Sequence, residues 1–249
     1  MLLVSFGFCT EFCLIFPNLA FSKTNRSPVF QQLFALLAKD FRLEFRQRVL
    51  TATVLLFVAS ACFTLYQVTV AGKARVNPLV WNAIFWLVVL FSSFQVVSRG
   101  FSRELEQQYW YYYFRIRADL LIFSKLIYHI LMLNITSLMA WLFLSVLFGN
   151  PVQDSWMFFV VIQLACVGMA SALTLVSAIS AKTGKNAALL PVLGFPLLIP
   201  TLLLVTRLSV TALDDLGWDM AWKNIWTLCG MDSIMIALSF ILFPYLWRS

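Results

Sequence analysis

A few side chains stand out by type and place. Glu104 and Lys125 bracket a run of six consecutive aromatics, Tyr109 to Phe114, in a segment that also carries Arg99, Arg103, Arg115 and Arg117. Arginine and aromatic side chains are enriched at protein interfaces and aromatics at membrane faces, so this segment reads as a docking surface or as an aromatic belt. Asp232 is the one acid deep within a long apolar stretch. A charge there is costly, so the group must be neutral, paired or facing water; Asn134, His129 or a hydroxyl are its candidate partners. His129, the only histidine, follows Lys125 by one helical turn. It can ligate haem iron, but with no companion ligand in view hydrogen-bonded packing is the weightier reading. Pro191, Pro196 and Pro200 crowd one apolar stretch, where each removes a backbone donor and can bend a helix, as a static kink or as a hinge.

Soluble-enzyme chemistry has no footing in the chain. It carries no G-x-x-x-x-G-K-[ST], no G-x-G-x-x-G, no H-E-x-x-H and no G-x-S-x-G, and Gly184-Lys185 is followed by Asn186. If ATP drives this protein, a separate chain must bind the nucleotide. Cys62, Cys166 and Cys229 fall in separate apolar stretches, where thiols behave as small apolar groups, and no CxxC or CxxCH occurs. No metal site is indicated.

The elements that must position these residues are transmembrane. Apolar residues make up 61% of the chain and charged residues 12%, with a mean hydropathy of +0.87, far too little polar surface for a soluble domain. Six stretches of roughly 20 apolar residues each can cross a ~30 Å hydrocarbon core as helices. They are expected at about 49–70, 79–97, 120–148, 156–180, 188–206 and 224–246. Backbone groups cannot stay unpaired in lipid, so the fold is an all-α polytopic bundle. Of the 18 lysines and arginines, all but Lys73, Arg75, Arg207 and Lys223 fall on one side of this arrangement. That bias places both flanks of the six-span unit in the cytoplasm. The net charge of +7 is spread over alternate loops, which argues for membrane lipid as the contact and against nucleic acid. Residues 207–223 are expected to form the longest outer loop, with short half-helices and Trp218 and Trp222 as interface anchors.

Ahead of the first span, Val29 to Arg48 sets Phe30, Leu33, Phe34, Leu37, Phe41 and Phe45 on one side of a helix, with Lys39, Asp40, Arg42, Arg46 and Arg48 largely elsewhere. This is the pattern of an amphipathic helix lying in the membrane interface. Residues 1–28 form an apolar extension or anchor with a polar linker, and residues 29–249 the six-helix unit. A cleaved signal is disfavoured because the basic start of one is missing.

The run Phe101-x-x-Glu104, then Asp119-Leu-Leu-Ile-Phe-Ser-Lys125 entering span three, resembles the coupling region of ABC-2 type exporter permeases. Ser177 to Pro200, SAISAKTGKNAALLPVLGFPLLIP, with the opening LLAKDFRLEFRQR and the closing ALSFILFPYLWR, is more closely similar to the CcmB family, the haem exporter permease of cytochrome c maturation. The similarity covers about residues 29–249.

The resemblance implies an ABC-2-like permease subunit of the bacterial inner membrane that is not itself an enzyme. Such a subunit dimerises, docks a cytoplasmic CcmA-like ATPase and works with CcmC-like, CcmD-like and CcmE-like proteins. Phe101, Glu104, Tyr109, Trp110 and Lys125 would then form the ATPase-coupling interface. Haem would be cargo rather than a resident cofactor, and ATP would act only through the partner. Whether haem crosses here, or hydrolysis releases a haem-loaded chaperone, stays open at this level. So do an exporter for another amphiphile and a non-transporting scaffold of the maturation assembly.

Overall fold

Apolar stretches with no periodic polar face become helices buried in protein or lipid all round. The computed structural model describes residues 29–46, 49–71, 77–98, 118–182 and 189–248, and within them the chain forms seven helices and no strand. These are α1 (Val29–Arg46), α2 (Val49–Ala71), α3 (Pro78–Ser98), α4 (Ala118–Phe148), α5 (Ser155–Lys182), α6 (Leu189–Leu213) and α7 (Trp218–Arg248). Helices α2 to α7 are each long and apolar enough to cross a membrane. The protein is an all-α polytopic membrane bundle.

Helix ends follow from local chemistry. Asn77 caps α3, its Oδ1 accepting the Leu79 N–H at 3.1 Å, and Pro78 occupies the first helical position, where its missing donor costs nothing. Asp154 caps α5 by accepting the Met157 N–H at 2.9 Å. Gly149, with φ of 81°, ends α4 in the left-handed conformation that glycine adopts without strain. Asp215 and Gly217 make the same kind of turn between α6 and α7, and the Asp154 N–H donates to the Ala212 carbonyl at 3.0 Å, joining the two turns.

One expectation is corrected here. Helix α6 runs on to Leu213 rather than ending near 206, and α7 begins at Trp218 rather than near 224, so the anticipated long outer loop is a four-residue turn, 214–217. The hydroxyls that made this stretch look loop-like bond back to their own helix: Thr206 to the Leu202 carbonyl, Ser209 to Val205 and Thr211 to Leu208. Between Pro200 and the Asp214-Asp215 turn there is no glycine or proline to end the helix.

Helix α5 is the hub. It packs against α3, α4, α6 and α7, and 72% of its spanning stretch is buried, against 17% for α2. Small residues make this possible: Ala165, Gly168, Ala170, Ser171, Ala172 and Ala178 are all buried along it. Toward the turn-bearing end, Trp81, Phe85, Trp141 and Phe158 form an aromatic cluster with ring centroids 5.2–5.9 Å apart.

Candidate functional site

Polar side chains inside an apolar bundle are held in place only where a partner offsets their desolvation. Four such places are built by the described residues. At the end where α1 lies, Lys125 Nζ sits 3.1 Å from Asp40 Oδ2, and both side chains are almost wholly buried. Lys39 approaches the other carboxylate oxygen at 3.9 Å. The Phe41 and Tyr128 rings meet edge-on at 5.7 Å, and Lys125 Nζ lies 5.9 Å from the Tyr128 ring centre. This clasp fixes α1 against α4.

The clasp revises how α1 is oriented. Among the residues of α1 whose burial is described, Leu36 and Asp40 are buried, Leu33, Leu37 and Phe41 are half-buried, and Phe34 is 74% exposed. An acid assigned to the polar side thus points into the protein, because a lysine waits there, whereas one phenylalanine of the apolar side is left outside.

One turn beyond Lys125, His129 is completely buried, with Nδ1 2.8 Å from Thr174 Oγ1 of α5. Its Nε2 has no partner among the described residues. Higher in α4, Asn134 and Gln163 of α5 exchange two amide hydrogen bonds, 2.6 and 2.8 Å, a reciprocal pair that satisfies both groups. Near the turn-bearing end, Trp86 Nε1 donates to Ser209 Oγ at 2.8 Å, Ser209 Oγ donates to Asn82 Oδ1 at 2.8 Å, and Asn82 Nδ2 donates to the Thr206 carbonyl at 3.2 Å. That network pins α3 to α6.

Asp232 stands apart from these four places. It lies near the middle of the spanning stretch Trp218–Phe243, deeper than the sequence suggested, because α7 starts earlier. The expected partners are engaged elsewhere, Asn134 by Gln163 and His129 by Thr174. Neither carboxyl oxygen of Asp232 has a hydrogen-bond partner among the described residues. Gly168 of α5 makes room for it. A Cβ there would collide with Asp232 Oδ1 and come within 3.1 Å of the Thr201 methyl of α6. About two turns along α7 from Asp232, toward the α1 end, Ser239 Oγ lies 3.3 Å from the Ser171 carbonyl, again joining α7 to α5.

Pro196 and Pro200 lie inside α6 on its exposed side, together with Val192, Ile199 and Leu203. Pro191 stands near the first described residue of that helix. Phe101, Glu104, Tyr109 and Trp110 lie outside the described residues, as do residues 1–28. The described residues contain no cluster of three His, Cys, Asp or Glu side chains able to hold a metal ion.

The structure therefore brings Lys125 and His129 onto consecutive turns of α4 and sets Asp232 apart from both. Sequence reasoning missed Asp40 and Gln163. The available signal for Gln163 was an amide in an otherwise apolar stretch.

Six membrane-length helices, one of them the small-residue hub on which others pack, define a polytopic membrane protein. The family model described as "CcmB protein" matches residues 31–245, so the chain belongs to the CcmB family, membrane permease subunits of the haem exporter ABC system of cytochrome c maturation. No curated protein matches the chain.

Proposed function

We propose that this chain is the transmembrane subunit through which a separate, CcmA-like ATPase performs work in cytochrome c maturation. The observation that carries this reading is the family match, which spans nearly the whole helical unit rather than one motif. The ATPase docks on the segment between α3 and α4, with Phe101, Glu104, Tyr109 and Trp110 as its contact residues. Two features support that placement. A protein without a nucleotide site can be driven only by a partner that binds its conformations with different affinity, and the 98–119 segment concentrates the arginine and aromatic side chains that interfaces use. Helix α4, which this segment enters, is tied to the hub by His129–Thr174 and Asn134–Gln163, so displacement at its first turns is passed to α5.

The subunit works as a homodimer in the bacterial inner membrane, with the α1 end facing the cytoplasm, beside CcmC-like, CcmD-like and CcmE-like proteins. Pro196 and Pro200 leave the carbonyls of Val192 and Pro196 without helical donors on the exposed side of α6. Such groups are not tolerated against hydrocarbon, which favours a second copy or a polar pathway over lipid on that side. The work done is haem export or release of the haem-loaded chaperone.

The test is Glu104→Lys in the assembled complex. The variant inserts in the membrane at normal levels but no longer copurifies with the ATPase subunit or stimulates its hydrolysis. Unchanged association and turnover would remove the docking assignment.

A further inference from the structure

Lys125 belongs to the candidate coupling set, yet its ammonium does not reach the surface: it is 4% exposed and turned onto Asp40 of α1. We propose that Asp40 is a positioning residue for energy coupling, its buried ion pair with Lys125 joining α1 and the first turns of α4 into one strut that moves as a unit. This rests on the reading of the 98–119 segment as the ATPase dock.

The placement of the pair carries the argument. Ala118 is where the chain enters α4 after that segment, and Lys125 lies two turns further, about 10 Å along the axis at 1.5 Å per residue. Anything pushing on the segment meets the clasp before it meets the hub. One turn deeper, His129 bonds Thr174 of α5 at 2.8 Å, so successive turns of α4 carry one polar contact to the outlying helix and one to the central helix.

Packing alone would not set the register. Leu36 and the Phe41–Tyr128 contact hold α1 against α4, but apolar burial is non-directional and fixes the register less sharply than a charge pair. A buried carboxylate 3.1 Å from a buried ammonium ties the register sharply, since a shift along the axis pulls the two charges apart where water does not replace the lost contact. The pair therefore supplies stiffness in the direction along the helices, which is what a lever needs.

The experiment uses the full complex in proteoliposomes with Asp40→Asn, Lys125→Met and the charge swap Asp40→Lys/Lys125→Asp. Each single variant is expected to insert and copurify with the ATPase subunit, with KM for ATP unchanged and the stimulated kcat lowered about tenfold, the scale of a modest coupling free energy. The swap is expected to recover most of that turnover. In parallel, spin labels at Arg42 and Leu131, both exposed, are placed in the chain alone with its cysteines changed to alanine. Their distance distribution is narrow in the parent, broad in Asp40→Asn and narrow again in the swap. Wild-type turnover and a narrow distribution in the single variants overturn the proposal, as does a swap that recovers neither. Should a single variant fail to insert, the swap by itself decides the matter. If the parent chain does not stimulate the ATPase at all, the docking reading falls, whereas the label distances still judge the strut.

Discussion

Two buried acids in this bundle are treated in opposite ways. Asp40, at the α1 end, faces two ammonium groups at 3.1 and 3.9 Å, and the contact joins helices far apart in the chain. Asp232, near mid-span, has no hydrogen-bond partner among the described residues and is accommodated by an absent side chain, that of Gly168. In the first case the surroundings answer the charge; in the second they only make space for it. A paired acid specifies how two helices meet. An unanswered one destabilises the conformation that holds it, and so is a group whose removal should be tolerated by the fold.

The contrast can be broken most sharply at its paired member. Lys125→Ala leaves the Asp40 carboxylate buried without its nearest cation, and breaking a buried pair in this way costs about 3–5 kcal/mol. Denaturant titration of the purified protein in mixed micelles should report a loss of that size, with α1 released to protease; a loss near zero would mean that the clasp is not formed.

At the other acid, the space itself is the target. Gly168→Val drives a branched side chain into Asp232 and the Thr201 methyl, so α7 and α6 must shift away from α5. Overpacking of this kind costs about 1–3 kcal/mol, measurable by the same titration. Gly230→Val, at a position where no atom lies within 4 Å, is the matched control and should leave stability unchanged.

The smallest effect carries the opposite sign. Asp232→Val replaces an unanswered carboxyl with an apolar group of similar shape and should raise stability by about 1 kcal/mol, the lower end of the penalty for a buried polar group without a partner. Maturation of c-type cytochromes in a deletion strain should fall with the same variant if the acid is retained for work rather than for folding. A drop in stability instead would show that the carboxyl is answered within the bundle and would erase the contrast.

Much of the fold was legible because hydropathy alone marks stretches that must be helical in lipid, and the starts and stops at Asn77-Pro78, Gly149 and Asp154 are written in capping residues. The α6–α7 turn was misplaced because threonine and serine hydroxyls look polar in the sequence but are satisfied within their own helix. Resemblance singled out Lys125, yet its partner was hidden: amphipathic periodicity assigns Asp40 to the polar side, and only the approach of α4 to α1 reverses that assignment. For the same reason Asp232 was given Asn134 or His129 as partners, since depth along a span can be counted from the sequence but the rotation of one helix against another cannot.

The hydrogen bond from the Asp154 amide to the Ala212 carbonyl has a mechanical meaning when taken with the Asn82–Trp86–Ser209 network and the aromatic cluster beside it. These contacts lace together the extremities of α3, α4, α5 and α6 at a single pole of the molecule. A bundle fastened at one pole spreads, if it spreads, from the other, in the manner of tongs. During turnover, label separations across the fastened pole should hold constant while those across the pole carrying α1 change.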